Sequence, residues 1–213
     1  MYKELLGRKL GMTTLFAPDG KQIPATVLEV GPCVVTQIKT RETDGYDALQ
    51  VGFSAKSLSR VNKPMQGHLR KSGEDGYRLL KEISVDDPTA YKLGEALTID
   101  GLFQAGERVD VSGISKGRGF SGVIKRWGFH GGRDTHGSMF HRAPGSVGAS
   151  ATPSKVLKGR KLPGRYGGDR VTVRNLEVVD VRPEQNVLIV KGAIPGSKAG
   201  LVGVRKPQVA SKK

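Results

Sequence analysis

The chain has 213 residues, 37% of them hydrophobic, with 35 Lys and Arg against 20 Asp and Glu and a formal net charge of +15. That length and apolar fraction suffice for a packed core in one or two domains, and the surplus of positive charge selects a polyanion as the main partner. There is no run of about 18 apolar residues to span a bilayer and no basic amphipathic helix to lie on one, and a single cysteine, Cys33, excludes internal disulfides and cysteine-rich zinc sites.

Residues 1–7 lack the apolar stretch and cleavage site of a signal peptide, so a cytoplasmic protein is expected. Residues 10–16 and 23–30 read as two strands around Ala17-Pro18-Asp19-Gly20, where Pro presets φ and Gly supplies a positive φ for a tight turn. Gly31-Pro32 breaks the second strand, and Cys33 reads as a small buried hydrophobe. Residues 34–39 and 48–53 flank Thr43-Asp44-Gly45-Tyr46, whose Asp-Gly is a hairpin signal. Short strands with turns at this spacing predict a small β-barrel rather than a helical or α/β fold. Residues 54–76 change character: Lys56, Arg60, Lys63, Arg70 and Lys71 stand among Ser, Asn and Gly, with Pro64 and His68 between them. A short helix fits there, and the segment reads equally as a lesser basic surface or as a solvated charged loop. Residues 79–85 form a strand candidate ended by Asp86-Asp87-Pro88. Residues 97–99, 102–103 and 109–111 continue the β pattern, with turns at Gly94 and Gly106.

Residues 113–170 break that pattern. They carry twelve Lys and Arg against two acids, Asp134 and Asp169, and hold fourteen of the thirty glycines, three of the four histidines and the only tryptophan. Loops longer than about 15 residues are uncommon in compact domains unless functional or disordered. With few aliphatic residues, this segment is not expected to pack on itself. A flexible linker, however, has little use for Phe120, Trp127, Phe129, Phe140 and Tyr166, which are costly to leave in water and suited to stacking on bases. The cations Lys116, Arg118, Lys125, Arg126, Arg133, Arg142, Lys155, Lys158, Arg160, Lys161, Arg165 and Arg170 are spaced by small residues along the whole segment. The expectation is a long, mostly irregular basic extension, an arm ordered by RNA. In it these twelve cations, together with Trp127, His130, His136 and His141, contact phosphates, ribose hydroxyls and bases. Beyond it, residues 171–173 and 176–181 form a strand, Arg182-Pro183-Glu184-Gln185-Asn186 turns the chain, and 187–190 return as its partner. Pro195-Gly196 is a turn within a loop at 192–200. The domain reading is a discontinuous β-barrel body, 1–112 and 171–204, the arm 113–170 and a basic tail 205–213.

Three motifs within the arm compete with that reading. Gly117, Gly119 and Gly122 satisfy the G-x-G-x-x-G spacing, but no long apolar-faced helix follows and no βαβ unit surrounds them, as dinucleotide binding requires. His130, His136 and His141 with Asp134 have ligand chemistry but sit in a positive, Gly-rich setting that repels a cation. No nucleophile elbow, P-loop or carboxylate pair is present, so no catalytic residue, metal, cofactor or small-molecule substrate is assigned.

Several stretches carry a specific resemblance. They are residues 6–13 (Leu6-Gly7-Arg8-Lys9-Leu10-Gly11-Met12-Thr13), residues 109–122, Lys125-Arg126-Trp127, Thr135-His136-Gly137-Ser138, residues 142–148, Thr152-Pro153, Gly159-Arg160-Lys161 and residues 190–196. In these, and in their order over essentially the whole chain, the sequence resembles the bacterial large-subunit ribosomal protein L three family. The resemblance implies a translation-factor-like β-barrel and a structural role in the large subunit. It further implies direct binding to large-subunit rRNA early in assembly, neighbouring ribosomal proteins as partners, and an arm directed toward the peptidyl transferase centre. The arm's tip would fall at Gly148, Ala149, Ser150, Ala151 and Thr152. Some relatives carry a methylated glutamine in this stretch, whereas this chain has no such acceptor there. The alternative is an RNA-binding protein outside the ribosome.

Overall fold

The computed structural model describes residues 2–73 and 75–207. It divides into two compact units, Met1–Ile114 with Arg170–Lys213, and Ser115–Asp169. The strands in chain order are β1 (Glu4–Phe16), β2 (Gln22–Val30), β3 (Cys33–Lys39), β4 (Ala48–Lys56), β5 (Gly76–Ser84), β6 (Ala96–Leu97), β7 (Arg108–Ile114), β8 (Phe120–Ser121), β9 (Gly164–Arg165), β10 (Arg170–Arg182), β11 (Val187–Lys191) and β12 (Leu201–Arg205). Three short α-helices accompany them: α1 (Arg41–Asp44), α2 (Lys63–Leu69) and α3 (Val123–Trp127).

In the larger unit, six strands close an antiparallel barrel in the order β1-β12-β7-β10-β11-β2. Closure removes the two free edges that an open sheet of these strands would have, over the length where all six are paired. Side chains such as Leu6, Leu28, Val30, Val109, Val111, Leu188, Val190 and Val204 are buried in the core. A register shift between Lys9 and Gly11 bends β1, and the buried Lys9 ammonium donates to the Ile194 carbonyl at 3.1 Å. Beyond this bulge β1 pairs only with β2, and Met12 and Phe16 stand exposed. A second shift, between Val173 and Leu176, puts Asn175 at φ 58°. Its amide donates to the buried Asp110 carboxylate at 3.0 Å, which also accepts from Arg205 Nη2 at 3.4 Å. That carboxylate therefore ties β7, β10 and β12 together.

The mainly β fold and the barrel agree with the sequence, while the partition of strands differs. β3 and β4, read as part of the barrel, lie in a separate four-stranded antiparallel sheet of order β5-β4-β3-β6. Its inner residues Val35, Leu49, Val51, Phe53 and Ile83 join the same hydrophobic cluster as the barrel. The Asp-Gly connection is no tight hairpin turn. Residues 41–44 make the single helical turn α1, which Gly45 ends in the left-handed conformation at φ 84°. Leu102 and Phe103 are buried without being strand, and β12, absent from the sequence reading, is the strand that joins β1 to β7. Of the expected basic tail, Arg205 belongs to β12 and the Lys206 amide donates to the Lys3 carbonyl; residues 208–213 lie outside the described residues. Cys33 is buried as expected, and burial pushes its thiol up to about 11.

At the seam between β1 and β2, Gly7 faces the Glu29 carbonyl so closely that a Cβ would sit 2.5 Å from that oxygen. Backbone cannot retreat as a flexible side chain can. Gly7→Ala should therefore destabilise the barrel by about 1–3 kcal/mol, read as a lower denaturation midpoint in urea; an unchanged midpoint would show that the seam is slack.

Candidate nucleic-acid interface

The unit Ser115–Asp169 opens and closes at one point, because Ile114 and Arg170 are register partners in β7 and β10. Its root is a backbone ladder. The Ser115 amide donates to the Asp169 carbonyl at 2.9 Å, Arg118 to Tyr166 at 2.8 Å and Tyr166 back to Gly119 at 2.9 Å, and the short pair β8 and β9 follows. Gly167, at φ 71°, lies so near the Lys116 carbonyl that no side chain fits. α3 then buries Val123 and ends at Gly128 in the left-handed conformation, with its amide on the Ile124 carbonyl at 2.9 Å. The segment thus packs on itself at its root, contrary to expectation.

The packing there uses cations and rings in place of aliphatic side chains. The Arg126 guanidinium lies 5.0 Å and the Lys161 ammonium 5.8 Å from the Trp127 ring centre, and Arg118 lies 5.0 Å from the Tyr166 ring. Such cation–π contacts contribute about 0.5–1 kcal/mol each at exposed sites. Arg126 Nη1 and Trp127 Nε1 both donate to the Leu162 carbonyl, at 2.9 and 3.0 Å. The Leu162 carbonyl joins the outgoing and returning chains, a role with no sequence signature. Arg118, Arg126, Trp127 and Lys161 are therefore engaged inside the unit as well as being candidates for RNA.

Residues 128–163 contain no helix or strand, and every residue from 141 to 161 is exposed. Gly132 donates to the His141 carbonyl at 3.0 Å and Arg160 to the Ser146 carbonyl. Lys116, Lys125, Arg133, Arg142, Lys155, Lys158 and Arg165 are exposed and form no ion pair among the described residues. Arg170 heads β10 in the other unit. Phe120 is 82% exposed, and Met139, Val147, Val156 and Leu157 also face solvent; the sequence reading singled out Phe120 but not these four. The tip residues Gly148, Ala149, Ser150, Ala151 and Thr152 are all exposed.

Charge is partitioned sharply between the two units. In the larger one many acids pair with cations, among them Glu29 with Arg8 at 2.6 Å, Glu82 with Lys39 at 2.8 Å and Glu177 with Lys191 at 3.1 Å. The Glu82 hydrogen bond holds the Lys39 ammonium above its usual range, and Lys39 holds the Glu82 carboxyl below its own. In Ser115–Asp169, eleven Lys and Arg face two acids, and the single acid contact is His141 Nδ1 with Asp134 at 3.4 Å. Asp134 is 93% exposed, so that pair contributes little. Among the described residues no three His, Cys, Asp or Glu side chains converge as metal ligands. Gly117, Gly119 and Gly122 lead into a five-residue helix; the Arg118 amide donates to the Tyr166 carbonyl and the Gly119 carbonyl accepts from the Tyr166 amide.

The model of the family Ribosomal protein L3 matches residues 75–186. Among curated relatives, proteins named Large ribosomal subunit protein uL3 are similar over nearly full length. That of Desulfosudis oleivorans is 58% identical over 97% of this chain and 99% of its own, and that of Syntrophotalea carbinolica 56% over 97% and 98%. The protein of Geotalea daltonii is 54% identical over 100% of both chains.

Replacing Trp127 by Phe keeps a ring beside Arg126 and removes the N–H that reaches Leu162. The root should weaken by about 0.5–1.5 kcal/mol, seen as faster amide exchange at Arg118 and Tyr166 with the barrel amides unchanged. Exchange at those two amides identical to wild type would show that the Leu162 carbonyl holds nothing.

Proposed function

This chain belongs to the ribosomal protein L3 family, a structural and non-enzymatic constituent of the large ribosomal subunit, and from that we propose that Ser115–Asp169 is an arm that binds large-subunit rRNA directly. The observation that supports it best is the charge imbalance of that unit, eleven Lys and Arg against two acids, whose one contact, Asp134 with His141, engages none of the eleven. Repulsion on that scale opposes compactness, and ordering residues 128–163 costs about 1–2 kcal/mol each. Phosphates supply the missing free energy through counterion release and charge-assisted hydrogen bonds.

The arm's chemistry divides along its length. At the root, cation–π contacts and backbone hydrogen bonds preset where the two chains run, lowering the entropy lost on binding. Lys116 and Lys125 at the root and Arg133, Arg142, Lys155 and Lys158 farther out contact phosphates, Phe120 and Phe140 stack on bases, and the exposed Val147, Val156 and Leu157 are covered by the partner. His130, His136 and His141 hydrogen-bond phosphate or ribose. Residues 148–152 form a tip directed toward the peptidyl transferase centre, their small side chains fitting a crowded RNA turn. Binding occurs early in assembly, in the cytoplasm, with other large-subunit proteins alongside. A non-ribosomal RNA-binding role would not account for likeness to large-subunit proteins over the full chain.

The protein should remain on isolated large subunits through a high-salt wash, and its release there would remove the ribosomal assignment. Deleting residues 148–152 should leave association with large-subunit rRNA nearly intact and slow peptide-bond formation by the assembled particle. Loss of assembly from that deletion would overturn the division between an anchoring root and a functional tip.

A further inference from the structure

The arm is not the only place where cations stand without ion pairs among the described residues. From Lys3 to Arg41 every Lys and Arg has a partner: Lys3, Arg8, Lys21, Lys39 and Arg41 pair with acids, and Lys9 binds a carbonyl. The next six cations are Lys56, Arg60, Lys63, Arg70, Lys71 and Arg78, and none of them forms an ion pair among the described residues. All but Lys56 are exposed. They occupy the insertion between β4 and β5, which contains α2, and the strand ends that flank it.

This insertion is held rather than loose. Leu69 is 1% exposed and Val61 9%. The Gln66 side-chain amide donates to the Leu58 carbonyl at 3.0 Å and the Val61 carbonyl at 2.7 Å, and Ser72 Oγ donates to Leu69 at 2.8 Å. His68 Nε2 lies 2.6 Å from Gln50 Oε1. A Cβ on Gly76 would come 2.5 Å from a methyl of Val61, so the missing side chain is the space that Val61 uses. Gly76 is also the register partner of Lys56, so the end of β4 lies beside the strand end that Val61 covers. A mere solvated loop does not need such anchoring.

We infer that this insertion and the strand ends that flank it form a second RNA contact, one that grips the phosphate backbone and reads no bases. It rests on the rRNA-binding reading of the arm and extends it to a separate surface. The chemistry differs from the arm's in one respect. The only aromatic residue between positions 54 and 78 besides His68 is Tyr77, and its ring is pressed against Gly52, leaving no free phenyl or indole ring to stack on. Lys and Arg alone bind phosphates irrespective of sequence. An acidic protein surface would meet the same cations but release few condensed counterions.

The test uses the full-length protein and protein-free large-subunit rRNA, with binding measured over a series of salt concentrations. In one variant Lys63, Arg70 and Lys71 become Gln; in a second, Arg60 and Arg78 do, so that a folding defect in either leaves the other to decide. A third changes Arg142, Lys155 and Lys158 of the arm to Gln. Each cation removed from a phosphate should lower the slope of log affinity against log salt by about 0.7–0.9, so the first variant should fall by about 2–3 and the second by about 1–2. The decrease should be equal on an unrelated duplex RNA. Insertion variants with the wild-type slope, beside an arm variant with a lower one, would overturn this inference alone. A wild-type slope in all three would overturn the arm reading and this one with it. A decrease confined to large-subunit rRNA would overturn the absence of base reading.

Discussion

The antiparallel pairing of β7 with β10 is the contact on which the rest of the molecule depends. β7 is also paired on its other side with β12, and β10 runs on past the seam to pair with β11 over Val178–Arg182, so the seam is built into the closed barrel. Its last register pair is Ile114 with Arg170. The 55 residues between those two positions can therefore serve recognition, because the barrel closes without them. Loop closure grows only slowly more costly with length, and here the strand pairing already holds the ends together.

That separation explains how one chain tolerates two opposite compositions. The barrel unit follows ordinary rules: aliphatic side chains inside, and exposed cations matched by carboxylates over much of its surface. The Ser115–Asp169 unit has almost no apolar interior, and where it is ordered it uses rings beneath guanidinium and ammonium groups. Arg126, Lys161 and Trp127 meet beside the carbonyl of Leu162. A cation held over a ring keeps most of its charge available to a phosphate, so root stability and anion binding do not compete for the same residue. A carboxylate partner would have neutralised the charge that the function requires.

The same logic separates the two basic surfaces. The insertion between β4 and β5 presents its cations from a body fixed by Val61, Leu69 and Gln66, whereas residues 141–161 stand exposed throughout. In the proposed RNA contacts, fixed charges suit a backbone already shaped, and exposed chain with small residues suits a cavity whose walls the partner supplies.

The distinct, basic composition of residues 113–170 was legible in the sequence because net charge, glycine spacing and displaced aromatics are local properties of a segment, independent of what lies beside it. So were the turn at Asp19-Gly20 and the burial of Cys33. Strand partnership was not legible. β3 and β4 alternate and turn much as β1 and β2 do, yet one pair belongs to a sheet and the other to the barrel, because hydrogen bonds between strands depend on which distant segment arrives alongside. β12 was missed for a related reason: five residues with a central glycine carry little signal until β1 and β7 flank them. Nor could Trp127 and Tyr166 be recognised as internal partners of nearby cations, since a ring free to stack and a ring already covered have the same sequence. Composition fixes what a segment can bind; only the tertiary arrangement decides which groups are already occupied and which remain for the partner.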